Sequence, residues 1–203
     1  TRMADTLPRN VDLVAVNTDV QDLNHTHARK KIHIGKNLTK GLGTGMNPDL
    51  GRQAAEENRT EIADALKGAD MVFVTAGMGG GTGTGASPIV AEVARELGIL
   101  TVAVVTKPFA FEGAQRGRIA QEGLLRLRDR VDTLITVPND RIFSLINKDT
   151  PLLRAFEAID DVLKNAVVGI AELIMAPGIV NVDFADVRTI MQDSGSAIIG
   201  IGF

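Results

Sequence analysis

The chain has 203 residues and a formal net charge of −3, room for one ordinary domain or one domain and part of a second. A domain that holds nucleic-acid backbone usually carries a basic excess, so that partner is disfavoured. No apolar run approaches the roughly 18 residues that span a bilayer, which argues against membrane insertion, and with no cysteine disulfides and thiolate metal sites are excluded.

Short β-branched runs alternate with longer helical stretches along the chain. Val11–Val16 reads as a strand, and Lys31–Gly35 is a weaker candidate. A helix is predicted over Asp49–Lys67; Asn47 and Pro48 before it suit a cap and a first turn. Met71–Ala76 is the next strand, then a helix over Ser87–Leu97, a strand over Ile99–Thr106, a helix over Gly113–Arg130 and a strand over Thr133–Val137. These strands are apolar on both faces, as parallel strands covered by helices on each side should be. The alternation specifies a doubly wound, mostly parallel α/β sheet. With aromatics at 3% and no Trp or Tyr, its core must be built from Val, Ile, Leu and Ala.

After Pro151 the period changes. Phe156, Ile159, Leu163, Ala166, Ile170 and Leu173 recur every three or four residues and predict one long helix, roughly 30 Å in length. Ala176-Pro177-Gly178 stops it. A short helix over Phe184–Asp193 follows, and the apolar run Ala197 to Phe203 is expected to form a strand of another sheet. The chain starts at Thr1 and stops within that apolar run, so both ends read as cut edges. His25, His27 and His33 fall in or near a polar loop; His25 and His27 are two apart with no third ligand evident, which favours a solvated loop over a metal site.

The most informative stretch runs from Gly77 to Gly85, Gly-Met-Gly-Gly-Gly-Thr-Gly-Thr-Gly. It follows a predicted strand and precedes a predicted helix. Glycine lets backbone N–H groups approach a ligand closely, and a helix start favours a phosphate. A Walker-type loop would need Lys after the glycines, and none follows. A dinucleotide loop is matched loosely by Gly81, Gly83 and Ala86, but the acid expected about 20 residues on is absent, since the chain there reads Thr106-Lys107-Pro108. A nicotinamide-dependent oxidoreductase is therefore the weaker alternative. Gly41-Leu42-Gly43-Thr44-Gly45 opens onto a second helix start and makes a second candidate anion site.

Gly79–Gly85 resembles the signature loop of the tubulin/FtsZ GTPases, and the resemblance extends over essentially the whole chain. Asn17-Thr18-Asp19 is similar to the loop after the family's second strand. Gly41 to Pro48 is similar to the loop that senses the terminal phosphate. Thr106 to Phe109, with Glu112 and Arg116, resembles the ribose side. Val137-Pro138-Asn139-Asp140 and Asp160-Asp161 resemble the base side, and Asn181-Val182-Asp183-Phe184-Ala185-Asp186 resembles the catalytic loop.

The resemblance implies a GTPase. GTP or GDP would be bound by Gly79, Gly80, Gly81, Thr82, Gly83, Thr84, Gly85, Thr44, Gly45, Glu112, Arg116, Asn139, Phe156, Asp160 and Asp161, with Mg²⁺ beside the phosphates. Hydrolysis would be helped by Asn181, Asp183 and Asp186 acting on the next subunit of a head-to-tail filament. Glu112 and Arg116 also fit a surface ion pair, Asp160 and Asp161 fit acids at a helix start, and Phe156 fits either base stacking or core. Asp183 fits a helix cap, but capping explains one carboxylate and not two.

The implied organisation is a nucleotide-binding domain over 1–154, a connecting helix over 155–177, and the start of a second domain over 178–203. A first strand and glycine loop precede this point in the family, and the family's strand order places that strand in the middle of the sheet. The implied setting is the cytoplasm at the division site. The partners would be copies of the chain itself and, through a missing C-terminal part, other division and membrane-tethering proteins.

Overall fold

The computed structural model describes residues 11–143, 151–175 and 183–197. In chain order the elements are β1 (Val14–Asn17), α1 (Val20–Asn24), β2 (Lys30–His33), α2 (Lys36–Thr39), α3 (Pro48–Glu57), α4 (Arg59–Leu66) and β3 (Met71–Gly77). Then come α5 (Gly81–Glu96), β4 (Leu100–Lys107), a 3₁₀ turn at Ala110–Glu112, α6 (Ala114–Arg128), β5 (Thr133–Pro138) and α7 (Asn139–Phe143). The last are α8 (Leu152–Met175), α9 (Phe184–Met191) and β6 (Gly195–Ala197).

Every strand pairing is parallel, but the described strands form two sheets. One is β1-β2, with Val14 opposite Lys30 and Asn17 opposite His33. The other has the order β3-β4-β5-β6. Within it β4 is central, and the alternation of its side chains sorts the core into two layers. Ala103 and Val105 pack with Ala120, Leu124 and Leu127 of α6. Val102 and Val104 face the other way and pack with Ala166 and Val167 of α8. This is the doubly wound arrangement expected from two-faced apolar strands.

No ladder joins β1 to β3 among the described residues. Between them lies a cavity of about 970 Å³ whose walls include Val14, Val16, Val72, Val74, Thr82 and Gly83. Most of β3 is only half-buried as a result.

Three expectations about these elements need correction. The helix expected over Asp49–Lys67 is two helices, because Asn58 leaves helical geometry (φ −109°, ψ 21°) and its side chain accepts from the Gly35 N–H at 2.9 Å. The helix expected from Ser87 begins at Gly81, inside the glycine motif. His33, inside the strand candidate Lys31–Gly35, is the last residue of β2, as that reading expected. Of the run Ala197–Phe203 expected to form a strand of another sheet, 198–203 lie outside the described residues, and Ala197 ends β6, which joins the same sheet: Thr133, Leu134 and Ile135 of β5 pair with Gly195, Ser196 and Ala197. Asp132 ties that docking together: its buried carboxylate accepts from the Thr101 N–H at 2.8 Å and the Asp193 N–H at 3.4 Å, and its backbone carbonyl accepts from the Gly195 N–H at 3.0 Å.

Candidate functional site

Parallel pairing places the ends of β3, β4 and β5 side by side, with Gly77 opposite Thr106 and Lys107 opposite Pro138. The glycine motif leaves β3 at that edge. The Met78 N–H donates to the Thr106 carbonyl at 2.9 Å. Gly79 follows with φ +104°, a conformation that L side chains rarely adopt. An α-helix start leaves the first N–H groups without intrahelical partners, here Gly80 to Gly83. The Gly81 N–H goes to the Gly45 carbonyl at 2.7 Å. Those of Gly80, Thr82 and Gly83 remain directed out of the helix end, as an anion site requires.

The glycines do two different jobs. A Cβ on Gly85 would lie 2.0 Å from the Pro48 carbonyl oxygen, and one on Gly81 would lie 2.7 Å from that of Asn47. Gly51 of α3 approaches the Gly81 carbonyl as closely. These three residues let α3 and α5 touch backbone to backbone. Gly80 differs: the nearest atom to an added Cβ is 4.0 Å away, so packing does not explain glycine there. Thr84 is buried, and its hydroxyl accepts from the Gly79 N–H at 2.8 Å. It holds the turn and does not face outward.

The second loop closes against the first. Gly41, Gly43 and Gly45 all have positive φ, and Asn47 caps α3 through the Leu50 N–H at 3.1 Å, as the sequence predicted. Thr44 is buried and its Oγ1 lies 2.9 Å from Thr82 Oγ1. Thr18, at the end of β1, reaches the same atom at 2.6 Å. Thr18 was not among the expected site residues. The pairing of its loop with a glycine motif 64 positions away has no periodicity that a sequence would reveal.

Of the residues expected on the ribose and base sides, Glu112 and Arg116 follow β4, Asn139 follows β5, and Phe156, Asp160 and Asp161 lie on α8. Glu112 pairs with Arg116 and accepts from the Phe109 N–H at 2.8 Å, so the ion pair is present. Asn139 is buried, and among the described residues its Oδ1 has no hydrogen-bond partner. A buried acceptor left unpartnered is costly and calls for an explanation, and a ligand donor is one. Phe156 meets Phe109 edge-on at 5.4 Å yet stays 42% exposed, so it is neither fully core nor free. Asp160 and Asp161 do not begin the long helix. It starts at Leu152, more than two turns earlier, so the helix dipole does not account for them. Asp161 pairs with Lys164 at 3.1 Å.

Asn181 lies outside the described residues. Asp183 caps α9, accepting from the Asp186 N–H at 2.9 Å, and Asp186 occupies the first turn. Both carboxylates are exposed. Their helix is anchored at the opposite end of the sheet from the glycine loops. Arg188 donates to the Gly98 carbonyl at 2.7 Å, just before β4 begins. Met191 accepts from Thr133 at 2.7 Å, where β5 begins. The eight residues of β4 separate the two ends by roughly 25 Å. Among the described residues no three His, Asp or Glu side chains gather as a metal site would need.

The tubulin/FtsZ family, GTPase domain, matches residues 3–147. The chain belongs to this family. It is similar to an empty FtsZ dimer from M. jannaschii, at 52% identity and a TM-score of 0.86 over 90% of this chain and 53% of that one. A mutant of FtsZ from M. jannaschii matches at 53% identity and 0.90, over 94% and 57%. CetZ2 from Haloferax volcanii, solved as a GTPγS-bound protofilament, matches at 28% identity and 0.76, over 92% and 55%. The chain thus spans little more than half the length of each of these structures. The family resemblance read from the glycine motif is therefore correct, as is the parallel α/β fold.

Proposed function

We propose that this chain is the nucleotide-binding part of a protein that binds and hydrolyses GTP and polymerises head to tail, each subunit completing the active site of its neighbour. The observation that carries this reading is the separation of two half-sites. The anion-binding loops lie at one edge of the sheet, while the Asp183–Asp186 pair is anchored at the other. Carboxylates so placed cannot serve the pocket of their own chain, but a head-to-tail contact brings one edge against the other and generates an open filament.

In this reading the N–H groups of Gly80, Thr82 and Gly83 cradle the phosphates, and Thr44 and Gly45 close over the terminal one. Glu112 and Arg116 exchange their mutual pairing for ribose and phosphate. Asn139, Phe156, Asp160 and Asp161 meet the base, where a carboxylate accepting two N–H donors selects guanine over adenine. Asn181, Asp183 and Asp186 of the adjoining subunit orient and polarise the attacking water. Mg²⁺ would shield the phosphate charge; with no carboxylate cluster among the described residues, phosphate oxygens and water would supply most of its ligands. The proposed setting is a bacterial division ring in the cytoplasm at the division site, with other division and membrane-tethering proteins bound elsewhere on the full-length protein. The proposed division of the chain is 1–154, 155–177 and 178–203, although β6 packs on the first of these.

The test is complementation in the full-length protein. Asp186→Ala retains the pocket and loses the carboxylate; Gly80→Asp sets a negative charge against the phosphates and retains the carboxylate. Each alone is expected to be inactive, and their mixture to recover phosphate release at mixed interfaces. A mixture that co-assembles and still releases no phosphate refutes the shared site.

A further inference from the structure

Two hydroxyls from separate segments converge on a third. Thr82 Oγ1, in the first turn of α5, lies 2.6 Å from Thr18 Oγ1 and 2.9 Å from Thr44 Oγ1. Each hydroxyl carries one hydrogen and two lone pairs, so the directions of the three hydrogens are coupled. Thr82 is half-buried and lines the open cavity. Thr18 is fully buried at 0% exposure, and among the described residues its hydroxyl has Thr82 as its partner. Its backbone is held as well: the Thr18 carbonyl accepts from Thr39 Oγ1 at 3.2 Å and from the Gly43 N–H at 3.4 Å.

A buried hydroxyl hydrogen without an acceptor costs free energy, so the Thr18 hydrogen goes to Thr82. Thr44 is 7% exposed, and the same argument sends its hydrogen there too. Both lone pairs of Thr82 are then filled. Its own hydrogen has no place inside the cluster and turns outward, beside the free N–H groups of the helix start.

We propose that Thr18 is a positioning residue for the nucleotide: by donating to Thr82 it fixes the Thr82 hydroxyl as a donor to a phosphate oxygen. Thr18 touches no ligand itself. It removes the alternative in which Thr82 spends its hydrogen on a neighbouring hydroxyl and presents a lone pair to the phosphate. The proposal rests on the reading of Gly79–Gly85 as the phosphate loop.

The experiment is a titration of full-length protein with a fluorescent GTP analogue, accompanied by thermal melting. Thr18→Val keeps the shape and removes the hydroxyl. It is expected to weaken binding about tenfold, the factor that corresponds to roughly 1.4 kcal/mol, and Thr18→Ser is expected to restore it. In a Thr82→Val background, Thr18→Val should change affinity no further, because there is no hydroxyl left to aim. A purely structural role predicts instead that the loss persists in that background. Unchanged binding by Thr18→Val, or a loss that adds to that of Thr82→Val, overturns the proposal. If Thr18→Val does not fold, Thr18→Ala gives the same cycle with a smaller side chain. Failure of the underlying reading looks different: Gly80→Asp and Thr82→Val would themselves leave affinity unchanged.

Discussion

One substitution made at three glycines separates packing from ligand binding. In Gly85→Ala the new Cβ meets the Pro48 carbonyl oxygen at 2.0 Å and the Arg52 nitrogen at 2.7 Å. Both are backbone atoms and cannot swing aside. Carbon–oxygen contacts run at about 3.3–3.6 Å, so α3 must retreat by about 1.3 Å. That retreat loosens the buried contact of Ala54 and Ala55 with Ala86 and Ile89, and of Gly51 with the Gly81 backbone. Overpacking of this kind costs about 1–3 kcal/mol and occasionally more. Alanine recovers about 0.8–1 kcal/mol of helix propensity, which leaves a net loss of about 2 kcal/mol at the upper end. In Gly169→Ala the Cβ meets nothing within 4 Å on α8, so only the propensity gain remains and stability should rise by about 0.5–1 kcal/mol. Gly80→Ala is also unobstructed and should fold normally, yet bind GTP more weakly, because backbone can no longer approach phosphate. Denaturant unfolding and a GTP titration on the same three variants read all of this. If Gly85→Ala proves as stable as Gly169→Ala, α3 and α5 do not touch as described. If Gly80→Ala binds GTP normally, the phosphate assignment fails.

Asp183→Ala and Asp186→Ala should both abolish phosphate release while leaving GTP binding by the isolated subunit nearly intact; only Asp183→Ala should also lose about 1 kcal/mol in unfolding, because it alone caps α9. GTP should displace bound nucleotide far better than ATP, and equal displacement would refute the base-side role of Asp160 and Asp161. At Glu92, burial works to raise the carboxyl pKa, but hydrogen bonds from Arg130 and Arg59 outweigh it and hold the group below its ordinary value of 4.5. Its stabilising contribution is therefore present above that value and lost as pH falls through the lowered one. With 37% of the side chain exposed, Glu92→Gln should cost under about 1 kcal/mol at neutral pH; the gap from wild type should close in acid, and a gap independent of pH would contradict the ion-pair origin. The 203-residue segment expressed alone should show no cooperative melting and no GTP turnover, and finding both would refute the view that the sheet needs a further strand.

Strand positions were legible because burial on both faces leaves a continuous apolar run, as over Ile99–Thr106. The start of α5 was not. Glycine opposes helix in isolation, and only the contact with α3, made by residues about 35 positions upstream, shows why Gly81 and Gly85 belong inside it. The break at Asn58 was hidden for a similar reason, since its partner is the Gly35 backbone, 23 positions away. The glycine motif itself was legible in the sequence, from its place between a strand and a helix and from its resemblance to the family's signature loop. Asp160 and Asp161 were misplaced relative to their helix because its start was read from the apolar stripe, whereas α8 begins at Leu152, directly after Pro151. Thr18 was missed because its hydroxyl acts through a contact that tertiary structure creates.

The break between β1 and β3 bears directly on the site. The cavity that separates them has Asn17, Gly77, Thr82 and Gly83 in its wall, so its inner end is the phosphate edge itself. An extended segment lying parallel to both strands would satisfy their facing N–H and C=O groups, and it would emerge beside Thr82. Stability and nucleotide binding are then coupled. With the slot open, β3 is half-solvated along most of its length, and the loop that leaves it is held by single contacts from β4, from Thr18 and from the Thr44–Gly45 loop. Unpaired groups that stay buried cost about 1–3 kcal/mol each against a total stability of about 5–15 kcal/mol. A few such groups decide whether the phosphate edge is rigid enough to hold a ligand. By this argument the slot and the phosphate site should fail together, and filling the slot in the full-length protein should recover both.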